Sequence, residues 1–176
     1  MKERGLSTDS TIYNYTLVRK VSPRFPHSLG HLLFLAAGCL AILPRTGGWR
    51  GLLYLGVSLA AVSLWQGSIL YLYLWFRGRP PGAAWTYHWT LPWLGWLPAG
   101  FHSFSGFVKL LGHLTWVGLA GLSLTYLWLP REAYALLLFV HLWMLHPRYI
   151  LLLKFRKLKR GGLIKVLQKD VSYYLS

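Results

Sequence analysis

Four long apolar blocks alternate with short polar or aromatic connections along the chain. They are PHSLGHLLFLAAGCLAILP at about 26–44, GLLYLGVSLAAVSLWQGSILYLYLWF at 51–76, LLGHLTWVGLAGLSLTYLWLP at 110–130 and AYALLLFVHLWMLHPRYILLLKF at 133–155. A bilayer core of ~30 Å is crossed by about 20 helical residues, so each block predicts one membrane-spanning helix. RTGGWR, with Gly47 and Gly48, turns between the first two blocks, and LPRE, with Pro130, turns between the last two. Each pair is therefore expected to form an antiparallel helical hairpin. Small residues at Gly56 and Ala60, Ser63 and Gly67, and Gly118, Gly121 and Ser123 mark places where backbones can approach closely.

The predicted fold is an all-α integral membrane protein, a bundle of four transmembrane helices. A basic N-terminal segment (1–25) precedes the helical domain (26–155), and a basic tail (156–176) follows it. The tail breaks at Gly161 and Gly162. LIKVLQKDVSYYL beyond them is expected as a short amphipathic helix on the membrane or a partner. The opening MKERGLSTDS has no apolar stretch, so no cleavable leader is expected.

Composition supports the membrane reading. Of 176 residues, 55% are hydrophobic and only 13% charged, and the mean hydropathy is +0.39. Nineteen Lys and Arg face four acids, for a net charge of +15. The basic residues sit at the ends of apolar blocks, a pattern that suits membrane topology and anionic headgroups rather than nucleic acid. Sixteen fall in the N-terminal segment, the 77–109 loop and the stretch from Arg148 onward, against three in the other two connections. Both termini are therefore expected on the cytoplasmic side of a bacterial inner membrane, or on the equivalent side of an organellar one. Cys39 stands alone, which excludes an internal disulfide and a thiolate metal cluster.

The 77–109 loop is rich in tryptophan. Trp85, Trp89, Trp93 and Trp96 recur at spacings of 4, 4 and 3, one stripe if helical, with Pro92 and Pro98 as interruptions. Tryptophan favours the headgroup level, so the loop reads as an interfacial or re-entrant segment that contacts lipid or a partner. A ligand wall for a pigment, quinone or lipid is the functional alternative.

The candidate chemistry lies in the histidines. Counting ~1.5 Å per residue from the nearest flanking cation places His31, His113 and His146 roughly 6–12 Å inside one face, with His141 deeper. Ionisable residues at that depth are costly and tend to face the bundle interior. Two histidines from different helices can ligate a b-type haem or contact a quinone. The structural alternative has neutral histidines bonded to backbone carbonyls or to Ser63, Ser68, Thr115 or Tyr149. No carboxylate lies within the blocks, which argues against a two-His-one-carboxylate iron site and against a base for catalytic zinc. Pro147 frees the carbonyl near Trp143, and Arg148 is expected to snorkel toward headgroup phosphates. Lys154, Arg156 and Lys157 extend that basic edge toward lipid or partner.

These features point to a non-catalytic subunit or assembly factor of a larger membrane complex. The alternative is a small haem b- or quinone-binding electron-transfer subunit, with His31, His113, His141 and His146 as contacts. A lipid-modifying enzyme or small transporter is weakened by the missing carboxylates.

Overall fold

The structure is a computed structural model that describes residues 15–22, 25–78, 85–158, 161–167 and 170–175. Residues 1–14, most of the basic N-terminal segment, lie outside the described residues. Four helices are long and apolar enough to cross a membrane. They are α1 (Phe25–Ile42), α2 (Trp49–Phe76), α3 (Phe104–Leu124) and α4 (Arg131–Phe155), with short 3-10 turns at Leu43–Thr46 and Thr125–Leu127. α3 begins earlier than the apolar block predicts, because Ser103 caps it by accepting a hydrogen bond from the Gly106 N–H at 3.3 Å. α4 starts after Pro130 and carries Glu132 in its first turn, where the helix dipole favours a negative charge.

α4 is the centre of the bundle. It packs against α1, α2 and α3, and α2 also packs against α3. More than half of its central window is buried (56%), against 6% for α1. The tight turn after α1 does not produce the expected α1–α2 hairpin, because α1 swings away from α2 and lies on α4. Trp143 of α4 fixes this contact by donating its indole N–H to the His31 carbonyl of α1 at 2.9 Å.

The glycines work as ring sockets. A side chain at Gly121 would collide with the Trp65 ring, and one at Gly118 with the His141 ring. Trp65 also donates its N–H to the Gly118 carbonyl at 3.2 Å. Gly56, expected to mediate close packing, faces open space.

The all-α expectation needs correction, since six strands accompany the helices. β1 (Thr16–Val21), β4 (Phe101–Ser103), β5 (Leu163–Val166) and β6 (Val171–Leu175) form an antiparallel sheet in the order β1-β6-β5-β4. The segment before α1 and the segment after α4 thus pair directly at one end of the bundle. The expected amphipathic tail helix is instead the β5–β6 hairpin. Its buried apolar positions, Ile164, Val166, Val171 and Tyr173, lie two apart within each strand and are β-branched or aromatic, with Ser172 also buried between the last two.

That face seals the ends of α3 and α4. Tyr173 is fully buried and meets Phe155 and Phe104 at ring distances of 5.6 and 5.7 Å. Gly162 lets the chain pass the Tyr173 ring, and its carbonyl accepts the Phe104 N–H at 2.9 Å. Arg19 donates to the Lys154 carbonyl in the last turn of α4 at 2.9 Å. Lys20 and Asp170 form an ion pair at 2.7 Å that raises the proton affinity of the lysine.

Tyr173 therefore ties the sheet to the bundle. Tyr173→Ala should destabilise the protein by about 3 kcal/mol, in line with the loss of a buried aromatic ring. The check is thermal unfolding in detergent micelles. An unchanged midpoint would show that the sheet is not joined to the helices through this ring.

Candidate functional site

The 77–109 loop is not a helical stripe. Trp85–His88 (β2) and Gly95–Pro98 (β3) form an antiparallel hairpin, with Trp85 opposite Pro98 and Tyr87 opposite Trp96. The spacings of 4, 4 and 3 therefore do not put the tryptophans on one face. Trp85 and Trp93 are buried, Trp96 is half-buried and Trp89 is exposed. Pro92, Pro98 and a left-handed Gly95 (φ 109°) make a hairpin possible where a helix is not.

The hairpin lies along α2. Trp96 donates its indole N–H to the Ser63 carbonyl at 3.2 Å, and the Tyr87 and Ser63 hydroxyls are 3.0 Å apart. Gly67 of α2 accommodates the Trp96 ring, where a Cβ would sit 2.8 Å from its nitrogen. Ser63 lies midway along α2, so the hairpin packs against the middle of that helix.

Behind the hairpin lies a buried polar triad. His141 and Arg148 are seven residues apart on α4 and share one face. Gln66 of α2 bridges them. Its carbonyl accepts a hydrogen bond from Arg148 Nη1 at 2.9 Å, and its amide nitrogen lies 3.3 Å from His141 Nδ1. Gln66 and His141 are fully buried and Arg148 nearly so. Gly95 closes the site from the hairpin side, since a Cβ there would lie 2.4 Å from Arg148 Nη2. Arg148 therefore turns inward instead of snorkelling.

A second cluster occupies the opposite side of α4. Trp143 and His146, three residues apart, both stack on His31 of α1. The centroid distances are 4.3 Å and 5.8 Å, and the planes are within 8° of parallel. Both ring nitrogens of His31 and Nδ1 of His146 are buried without a hydrogen-bond partner. At the outer edge, Lys154 Nζ donates to His27 Nε2 at 3.0 Å. A small cleft of about 30 Å³ runs between these residues, lined also by Trp93, Pro147 and Leu151.

The four candidate histidines thus separate. His31 and His146 meet, His141 belongs to the triad, and His113 lies apart. His113 is exposed, bonds to the Lys109 carbonyl of its own helix at 2.7 Å and stands beside Tyr73. Of the hydroxyls considered as histidine partners, Ser63 meets Tyr87, Thr115 and Tyr149 meet each other at 2.6 Å, and Ser68 bonds to its own helix. Among the described residues no group of three or more His, Cys, Asp or Glu is placed to hold a metal ion.

No protein-family model, curated protein or solved structure matches this chain. The functional reading therefore rests on the side chains themselves.

Gln66 and Gly95 are the residues that sequence reasoning missed. Gln66 is the only carboxamide in the four helices, and that was the available signal. Gln66→Leu should destabilise the protein by about 3 kcal/mol, because it leaves a buried guanidinium without an acceptor. Adding Arg148→Met should recover at least half of the loss, since the unpaired charge goes too. Thermal unfolding of both variants is the check, and a double variant no more stable than Gln66→Leu would contradict the triad.

Proposed function

We propose that this protein is a non-catalytic membrane subunit or assembly factor of a larger complex, which docks partners through the outer face of its four-stranded sheet. The observation that carries this reading is a contrast in where the polar chemistry lies. Inside the bundle, Arg148, Gln66 and His141 bond to one another in a closed position. No nucleophile and base meet in an open cavity among the described residues. At the sheet end, exposed apolar and basic groups gather on one surface.

That surface is specific. Leu17 and Phe101 are exposed, Tyr15 stacks on Phe101 at 4.9 Å, and Phe101 meets Tyr174 edge-on at 5.1 Å. The ammonium of Lys165 lies 4.9 Å from the centroid of the Phe101 ring. Exposed aromatics edged by cations are typical anchors of protein interfaces. Among the described residues β1 pairs only with β6, so its other edge is open there. With both termini read as cytoplasmic, this surface faces the cytoplasm or the organellar matrix. Its charge favours an acidic partner.

The haem alternative draws support from the proximity of His31 and His146. Axial ligation needs both imidazoles edge-on to one iron. Here the two rings present their faces to each other, nearly parallel at an interplanar angle of 3°. A quinone ring exceeds the 30 Å³ cleft at His31 and His146, and the roomier groove of about 460 Å³ at His113 lies apart from both of them.

The subunit reading predicts that mild-detergent extraction from the native membrane yields the protein within a larger particle. Lys165→Glu combined with Phe101→Ser should weaken partner retention about tenfold, as expected for losing an interface anchor, without lowering the protein's own abundance. A Soret band in the purified protein, or a protein that is stable and active alone, would contradict it.

A further inference from the structure

The cleft between α1 and α4 holds a set of polar groups that the subunit reading does not use. It is lined by His27 and His31 of α1, Trp93 of the hairpin, and His146 and Lys154 of α4, with Val21 at the sheet end. Three of these residues carry buried nitrogens without partners: both nitrogens of His31, Nδ1 of His146 and the indole nitrogen of Trp93. His31 is 2% exposed and Trp93 5%. An indole N–H can only donate, and each neutral imidazole has one N–H to donate. Buried polar groups ordinarily find partners, so this concentration of unmet donors is a feature to be explained.

Charge points the same way. Lys154 has no carboxylate partner among the described residues. Among the described residues its Nζ bonds to His27 Nε2. Of the two described acids, Asp170 is bonded to Lys20, and Glu132 lies in the first turn of α4 at the far end of the helix. The cleft is basic, rich in donors and unbalanced from within. The missing partner is an anion that accepts several hydrogen bonds. The cleft's 30 Å³ has room for one or two waters, so a larger anion is met at its open mouth, where His27 and Lys154 stand.

The position of the cleft indicates where the anion comes from. Lys154 lies in the last turn of α4 and His27 near the start of α1, at the sheet end of two membrane-crossing helices. Outside the cleft, α1 exposes Leu29, Leu33 and Leu40, and α4 exposes Leu153. These apolar flanks suit acyl chains.

We propose that the α1–α4 cleft binds the phosphate of an anionic phospholipid. Lys154 and His27 hold the phosphate at the mouth, and Trp93, His31 and His146 donate to its oxygens or to waters bound with it. The acyl chains follow the exposed flanks of α1 and α4. The lipid would then fasten α1, the least buried helix, to the rest of the bundle.

Native mass spectrometry tests this with the full chain in nanodiscs containing phosphatidylglycerol and phosphatidylcholine in equal amounts. The protein should retain one phosphatidylglycerol in preference to phosphatidylcholine. Lys154→Gln should lower that retention about fivefold, the worth of one lysine beside anionic lipid, while Lys154→Arg keeps it. Arg131→Gln, exposed at the far end of α4, should leave lipid retention unchanged. Should Lys154→Gln fail to fold, Trp93→Phe removes the indole donor while keeping the aromatic wall and should also weaken retention. Equal retention of the two lipids, or loss no greater in Lys154→Gln than in Arg131→Gln, would overturn the proposal. So would stabilisation of the detergent-solubilised protein by inorganic phosphate but not by phosphatidylglycerol, since the site would then serve a free anion.

Discussion

The architecture depends on how one arginine is buried. Arg148 sits inside a bundle of apolar helices; among the described residues no carboxylate stands beside it, and its hydrogen-bond acceptor is the carboxamide of Gln66. A guanidinium in that setting is unfavourable unless it is held and shielded. Gln66 holds it from α2, and the β2–β3 hairpin shields it by laying the bare Gly95 against its Nη2. The same hairpin is fixed to α2 by Trp96 and Tyr87 at Ser63. Helix α2, helix α4 and the hairpin are thus joined at one point, and that point is why the loop packs against the helices.

α4 then divides the molecule. On one side it carries the sealed triad, and on the other it carries the stacked His31, Trp143 and His146 beside an open cleft. α1 is attached only on this second side. Beyond the last turn of α4, both flanks of the chain come together in a sheet whose inner face is apolar and whose outer face is aromatic and basic. That division is the basis for reading the protein as a structural component of a larger assembly rather than as a catalyst.

Much of the helical frame was legible in the sequence, because membrane crossing demands long apolar runs and hydropathy reads those directly. The four long apolar helices lie where the blocks predict, except that α3 starts and ends earlier, at Phe104–Leu124. The strands were not legible for a different reason. β1 pairs with β6 from the other end of the chain, and no local pattern in TLVRKV announces so distant a partner. In the loop, tryptophan spacing suggested a helical stripe, whereas Pro92, Gly95 and Pro98 set the actual geometry. The histidines show the limit of counting depth. An axial estimate brought His31 level with His146, and these two do meet. It also brought His113 level, but depth says nothing about direction around the helix axis, and His113 points elsewhere. Arg148 was expected to reach for the interface because Gln66, its partner on another helix, is visible only once α2 and α4 are packed.

The central claim is that the Trp85–Pro98 hairpin is a folded part of the bundle, held against the buried Arg148. Hydrogen-exchange mass spectrometry of the protein in nanodiscs tests this most directly. The cross-strand amides of the hairpin should exchange on the slow timescale of α2 and α4. Exchange of those amides at the rate of an unstructured loop would contradict the account.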